Sequence, residues 1–317
     1  MAKRISRIGN ILHGMARKQL RIIIIGLPLF AKRLEADLKS HNPLLKVDAL
    51  NTYYSFKDKL LAFLLIPFSD VVYSINGSLS PSKIFNWTLL WNKKLMMTWV
   101  GSDVLVAKSE DQPVQEYLRK AHHYCEVSWI QKELETLNIK AEILNFFNFK
   151  ETQKSDFPDL SKGKLTVLSY LAKGNELEYG LTQLLSLAKS FPEVSFNIVG
   201  SDGEGLAQLE NLNYLGWVSD MKSEFDKAHI TARLINHDGL SGFVLESLLL
   251  EKHVLYSQPL DSCIQVSTPE SCVDAFGLIY EQYKTGMLEP NRQGRNYVLE
   301  HFSRTRILDN LIDEMSK

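Results

Sequence analysis

The sequence predicts an α/β protein made of two doubly wound, Rossmann-like domains. Three observations carry this. Short β-branched runs alternate with amphipathic stretches along the chain, the pattern of βα units around a parallel sheet. The alternation breaks once, over 149–163 (FKETQKSDFPDLSKG), a polar stretch with Pro158 and Gly163 that reads as a linker. The two sides of the break also differ in charge: residues 1–157 hold 22 Lys and Arg against 15 Asp and Glu, and 158–317 hold 14 against 22. A chain of 317 residues is long enough for each side to bury a core of its own.

Residues 1–20 carry Lys3, Arg4, Arg7, Arg17 and Lys18 and no acid, and Ile5, Ile8, Ile11, Leu12 and Met15 recur at helical steps. This basic amphipathic pattern can lie on an anionic membrane, or can be a soluble leader. It lacks the continuous apolar stretch and small-residue cleavage site of a signal peptide. Arg21–Gly26 (RIIIIG) is an apolar run ending in glycine, hence a buried parallel strand. A helix is expected over 29–40. The run 60–68 (LLAFLLIPF) is too short to cross a bilayer. It reads as the end of a core helix stopped at Pro67, with a membrane-dipping surface as the alternative. Strands are expected at Val71–Ile75, 95–100, 124–129 and 141–147. Beyond the linker they are expected at 165–170, 194–200, 212–217, 230–235 and 253–257, with helices over 177–191 and 292–315. Cys125, Cys263 and Cys272 show no C-x-x-C spacing and no accompanying histidine pattern, so they read as reduced thiols of a cytoplasmic protein.

In doubly wound sheets ligands bind beyond the carboxyl ends of the strands, and three segments in such places carry possible chemistry. The first is 235–246 (INHDGLSGFVLE). Small residues between a strand and a helix N-terminus make an anion site, because backbone N–H groups and the helix dipole face the ligand. Gly239 and Gly242 let a diphosphate approach the backbone. Asp238 precedes the helix and Glu246 lies inside it; a plainer reading makes them a cap and a surface residue. The second is 199–205 (VGSDGEG), a glycine-rich loop after a strand that suits a nucleotide, or a plain connection. The third is 99–103 (WVGSD), where Asp103 could act catalytically by orienting or deprotonating a hydroxyl, or could cap the following helix. His123 and Cys125 share a strand face without a third partner and read as structural. No P-loop and no G-x-S-x-G is present.

Taken in order, these segments resemble retaining glycosyltransferases of family 4, which have the GT-B fold. The likeness is strongest over about 164–260. VLSYLAKGNELEYGLTQLLSLAKSFPEVSFNIVGSDGEG is similar to the family's run from its first C-domain strand to its nucleotide loop. NYLGWV resembles its strand and turn, and HDGLSGFVLESL resembles the E-x7-E motif of a subgroup that carries H-D-G-L-S. WVGSDV resembles the subgroup's W-x-G-[ST]-D, and ILNFFN loosely resembles the family's I-P-N-G-V-D. The resemblance implies two Rossmann-like domains around a cleft, here 21–157 on the acceptor side and 158–298 on the nucleotide-sugar side. A closing segment, 299–317, would return to the first domain. It implies that Glu246 holds the ribose, Asp238 touches the donor sugar, and backbone N–H groups of Gly239, Leu240 and Ser241 hold the diphosphate. Val218 would meet the base and Asp103 the acceptor, and Gly200 and His237 fall in the donor-binding segments. No metal or resident cofactor is implied, the nucleotide-diphosphate sugar being a co-substrate.

The sequence departs from the family at the two places that usually carry Arg and Lys, where it has Leu171 and Tyr179. A departing diphosphate needs positive charge, and Lys173 and Arg233 are the candidates to supply it. The expected function is transfer of a sugar, with retention, to a hydroxyl of a glycan or lipid-linked acceptor. The expected setting is the cytoplasm, with the inner face of the membrane as a docking place, and with no nucleic-acid partner. The rival expectation is a catalytically degenerate GT-B module that binds a glycan or a partner glycosyltransferase. A third, a sugar-nucleotide epimerase, would lean on His237.

Overall fold

The computed structural model describes residues 19–109, 115–149, 157–159 and 163–317. The basic leader and most of the linker read above lie outside the described residues. The chain divides into two compact units, Met1–Phe146 with Leu308–Lys317, and Phe147–Ile307.

The first unit is built on six parallel strands: β1 (Arg21–Gly26), β2 (Lys46–Ala49), β3 (Val71–Ile75), β4 (Lys94–Trp99), β5 (His122–Cys125) and β6 (Ala141–Ile143). Their order in the sheet is β2-β1-β3-β4-β5-β6. Ile22, Ile23, Ile24 and Ile25 are all buried, because a central parallel strand is covered on both faces. The helix after β1, Pro28–His41, starts on a proline at its first turn and buries Ala31, Leu34 and Leu38 at helical spacing. Strand β2, too short to stand out in the sequence, alternates exposed and buried residues as an edge strand does.

Three expectations are corrected here. The apolar run at 60–68 is core only in part: Ala62 and Ile66 are buried, while Leu60, Leu64 and Phe68 are exposed. It belongs to a helix, Phe56–Leu65, followed by a 3-10 turn Ile66–Phe68, and Ala62 is the helix's one buried residue. Its one buried side leaves Phe56, Leu60 and Leu64 in solvent. The strands expected over 124–129 and 141–147 end at Cys125 and Ile143, and Ser128–Thr136 is a helix burying Ile130 and Leu134. The i, i+4 pair prevails there over the single β-branched residue, Val127.

The closing residues form two helices, Arg292–His301 and Arg304–Ser316. Within the first unit, Leu308, Leu311 and Met315 of the second of these are buried. The Tyr124 hydroxyl donates to Glu314 Oε1 at 2.8 Å, and Lys94 donates to the Glu314 carbonyl.

The second unit has β7 (Thr166–Tyr170), β8 (Ser195–Val199), β9 (Leu212–Gly216), β10 (Ile230–Arg233), β11 (His253–Tyr256) and β12 (Ile264–Gln265). They are parallel in the order β12-β11-β10-β7-β8-β9, the Rossmann 3-2-1-4-5-6 arrangement. The chain leaves β7 toward one edge and β10 toward the other. These two adjacent strands therefore open a crevice at their carboxyl ends, the topological switch point. The core below it holds Val167, Leu184, Phe196, Ala232, Leu255 and Phe276, among others.

Candidate donor site at the switch point of the second unit

Arg233 is the last residue of β10, and the register sets it beside Tyr256 at the end of β11. Its side chain is only 11% exposed. Nε donates to Asp238 Oδ2 at 2.9 Å and an Nη donates to Asp238 Oδ1 at 3.3 Å. This is a bidentate pair, the strong form of an arginine–carboxylate contact. The guanidinium lies over the rings of Tyr179 and Tyr170, 4.9 and 5.7 Å from their centroids, and aromatic faces attract a cation. The Tyr256 hydroxyl reaches Asp238 Oδ2 at 3.3 Å and the Gly239 carbonyl at 3.0 Å. Burial opposes charge on Arg233, yet the Asp238 carboxylate outweighs it and holds the guanidinium above its usual range. Burial and the same carboxylate push the Tyr256 hydroxyl up, so it stays protonated and donates.

The loop from Leu234 to Leu240 leads into a helix, Gly242–Leu249, capped by Ser241, whose hydroxyl accepts from the Val244 N–H at 3.4 Å. Asp238 is thus not the cap; its oxygens serve the Arg233 and Tyr256 side chains. Gly239 and Leu240 are buried, His237 is half-buried beside Asp238, and Glu246 lies half-buried in the helix's second turn. One continuous stretch from Arg233 to Glu246 therefore carries the guanidinium, the carboxylates and the helix start together.

Two glycines shape the neighbouring loops. Gly200, just past β8, has φ +94, and a Cβ there would stand 2.4 Å from the Leu171 carbonyl oxygen and 2.6 Å from the Tyr170 ring. Gly180, at φ +91, precedes the helix Leu181–Ser190, and its Cβ would meet the Leu234 backbone oxygen at 2.5 Å. Only glycine lets these backbones approach so closely. In the loop after β8, Ser201 donates to Glu176 at 2.7 Å. Lys173 is exposed and its ammonium meets Asp202 at 2.6 Å and Glu204 at 3.7 Å, so its charge is already countered. Val218 is half-buried and packs, with Tyr170 and Phe243, on the small cluster of Leu168, Val199 and Phe225. Trp217 before it is 85% exposed.

Asp103 belongs to the first unit. Its carboxylate accepts backbone N–H groups of Gly77 (2.6 Å), Val100 (3.0 Å), Gly101 (2.9 Å) and Val104 (3.0 Å). Burial pushes its pKa up to about 6, against the pull of these donors. The Trp99 ring NH donates to His123 Nδ1 at 3.2 Å, and the other ring nitrogen of His123 meets the Leu118 carbonyl at 2.8 Å. Beyond β1 and β3, the switch point of this sheet, lies a cavity of about 350 Å³ lined by Gly26, Tyr53, Asn76, Ser78 and Ser82, with Lys59 at its wall.

The residues that sequence reasoning passed over are Tyr170 and Tyr256. Tyr256 was findable in principle, since it closes a strand that pairs with the one bearing Arg233. Tyr170 closes β7 on the other side of Arg233. Tyr179 stood out only as a departure from the family, and it forms a face of the arginine's box.

No family model matches the sequence, and no curated protein matches it. Solved structures match in fold. One is a pneumococcal O-GlcNAc transferase, GtfA, in complex with UDP and GlcNAc: TM-score 0.53, 12% identity, covering 78% of this chain and 56% of that one. The chain thus spans just over half the length of GtfA. A second is sucrose-phosphate synthase from Thermosynechococcus elongatus: TM-score 0.62, 12% identity, 93% of this chain and 98% of that one. A third is a UDP-GlcNAc 2-epimerase from Neisseria meningitidis bound to UDP-GlcNAc: TM-score 0.53, 13% identity, 92% and 98%. The chain has the two-domain α/β fold of the GT-B glycosyltransferases.

Proposed function

We propose that this chain is a retaining glycosyltransferase of the family 4 type. It would move a sugar from a nucleoside-diphosphate donor to a hydroxyl of a glycan or lipid-linked acceptor, at the cytoplasmic membrane surface. The observation that carries the reading is the Arg233–Asp238 pair, boxed by three tyrosines at the switch point of the second sheet and next to a serine-capped helix. Two of the five guanidinium N–H donors go to Asp238 in this pair. Arg233 would supply the positive charge that Leu171 and Tyr179 do not. As the sugar–phosphate bond breaks, charge grows on the leaving diphosphate. A buried, preorientated guanidinium and the helix N-terminus stabilise that charge without reorganising.

In this reading Asp238 has two duties: it aligns Arg233 and it faces the donor sugar. Glu246 holds the ribose, the backbone of Gly239, Leu240 and Ser241 lines the diphosphate, and Val218 meets the base. Gly200 lets the loop after β8 pass close to the nucleotide, and His237 contributes from beside Asp238. Lys173 stands at the rim, where release from Asp202 would bring it to the phosphates. Asp103, saturated by four backbone donors, shapes the turns at Gly77 and Gly101 on the acceptor side. The donor is a co-substrate, with no resident cofactor.

The test is thermal shift with UDP, GDP, ADP and CMP, on wild type and on Glu246→Ala. One diphosphate is expected to raise the melting temperature of wild type, and the substitution to abolish the rise. A ligand at a hundred times its dissociation constant adds about 2.7 kcal/mol. If none of the four shifts wild type, the reading yields to that of a non-catalytic module.

A further inference from the structure

The helix Phe56–Leu65 leaves its apolar ridge in solvent. Phe56, Leu60 and Leu64 follow one another at four-residue steps and are 80%, 53% and 60% exposed. Phe68, at the end of the following turn, is 67% exposed. The ridge continues sideways. Phe63 packs edge-on against Trp87, whose ring NH donates to the Phe63 carbonyl, and Trp87 packs edge-on against Trp91. That aromatic row leads to Leu90 and Trp91, 73% and 47% exposed. Large apolar side chains exposed together in this way mark an interaction surface.

Its surroundings indicate which kind. Between Ser55 and Ser102 the chain has five lysines and two aspartates. Lys57, Lys59 and Lys83 are exposed around the ridge. Asp58 is held inward, accepting the Asn51 N–H at 2.8 Å, and Asp70 accepts the Arg21 N–H at 3.0 Å. Leucine and phenylalanine on one side, lysines at the margins and a half-exposed tryptophan at the border match the profile of an interfacial helix on an anionic bilayer. The same helix supplies Lys59 and Phe63 to the wall of the cavity beyond β1 and β3. Sunk into a monolayer, the ridge would bring that cavity to the level of the lipid headgroups.

We propose that the face formed by Phe56, Leu60, Leu64, Phe68, Leu90 and Trp91 docks the first unit onto an anionic phospholipid bilayer. The partner is the bilayer itself, bound by shallow insertion of these side chains and by lysines over the headgroups. The inference is independent of the donor site in the second unit, and nucleotide binding serves as its internal control.

The experiment floats the full-length protein with vesicles of equal parts phosphatidylcholine and phosphatidylglycerol, and with vesicles of phosphatidylcholine alone. The variants are Leu60→Asp/Leu64→Asp and, separately, Trp91→Phe. Both leucines are exposed, so circular dichroism and the melting temperature should stay close to wild type. Wild type is expected to float with the anionic vesicles, and the double aspartate variant to lose more than tenfold of that binding. Tryptophan emission should shift to the blue on vesicle addition, and Trp91→Phe should remove much of that shift. Equal flotation of wild type and the double variant would overturn the proposal, because the basic leader alone would then account for binding. It would also be overturned if wild type stayed unbound, or if the double substitution turned a dimer into a monomer in sedimentation velocity while leaving vesicle binding intact.

Discussion

Arg233 ties the candidate site of the second unit together through one side chain. It is nearly buried, paired with Asp238 and stacked on two tyrosines. Such a pair has two possible roles, and they respond differently to substitution. Arg233→Gln leaves Asp238 charged with its main partner gone and should destabilise by about 3 kcal/mol. Arg233→Gln combined with Asp238→Asn removes both charges and should regain most of that loss. If the guanidinium also serves a diphosphate, the double variant regains stability without regaining nucleotide affinity. A lost charge-assisted contact of about 1.5–3 kcal/mol corresponds to ten- to a hundredfold weaker binding. Urea unfolding and nucleotide titration of the same three proteins read the two effects apart; recovery of both together would make the pair purely structural. Arg233 and Asp238 could be singled out from the sequence because each sits at a strand end or just past one, in a stretch of small residues. Tyr170 and Tyr256 are not near Arg233 in the chain, and it is the pairing of β10 with β7 and β11 that brings them there.

At the scale of elements, most strands lie within a residue or two of where periodicity puts them, and the exceptions have causes. Strand β12 has two residues, too few for a pattern, and β2 (KVDA) is an alternating edge strand without the apolar run of β1 or β3. The helix Phe56–Leu65 is apolar enough to be read as core, yet burial depends on what covers it, which periodicity does not encode. The helix Gly242–Leu249 was legible down to its start, through the small residues before it, but the cap was not. Asp238 was the plain candidate by residue type, and Ser241 takes the role because its hydroxyl sits three residues before the Val244 N–H. Ser241→Ala is therefore expected to cost about 1 kcal/mol, and Ser241→Gly only a few tenths. Thermal melts test this directly. If the helix start also receives the diphosphate, both variants should bind it about as well as wild type, because the backbone donors remain. A large affinity loss in Ser241→Gly would point instead to the hydroxyl itself.

At the scale of the whole molecule, the first unit is completed by the end of the chain. Leu308, Leu311 and Met315 are buried in it, and Glu314 receives Tyr124 and Lys94. A chain ending at Ile307 should lose these contacts and expose the apolar surface beneath them. It should bind a hydrophobic dye and show early proteolysis within 19–146, while the second unit keeps its near-native digestion pattern; full resistance of the first unit would contradict this. What the sequence by itself determined is the class of fold and the existence of two βα series; it also offered 235–246, with Arg233 before it, as a candidate site. These follow from local order, because apolar periodicity and glycine placement are properties of neighbouring residues. Tertiary structure alone decided that the arginine at the end of β10 would meet tyrosines from β7, β11 and the loop after β7, and that an apolar helix would be left facing solvent. Both depend on which strands pair and which surfaces remain uncovered, and those are settled by the packing of distant segments rather than by any one of them.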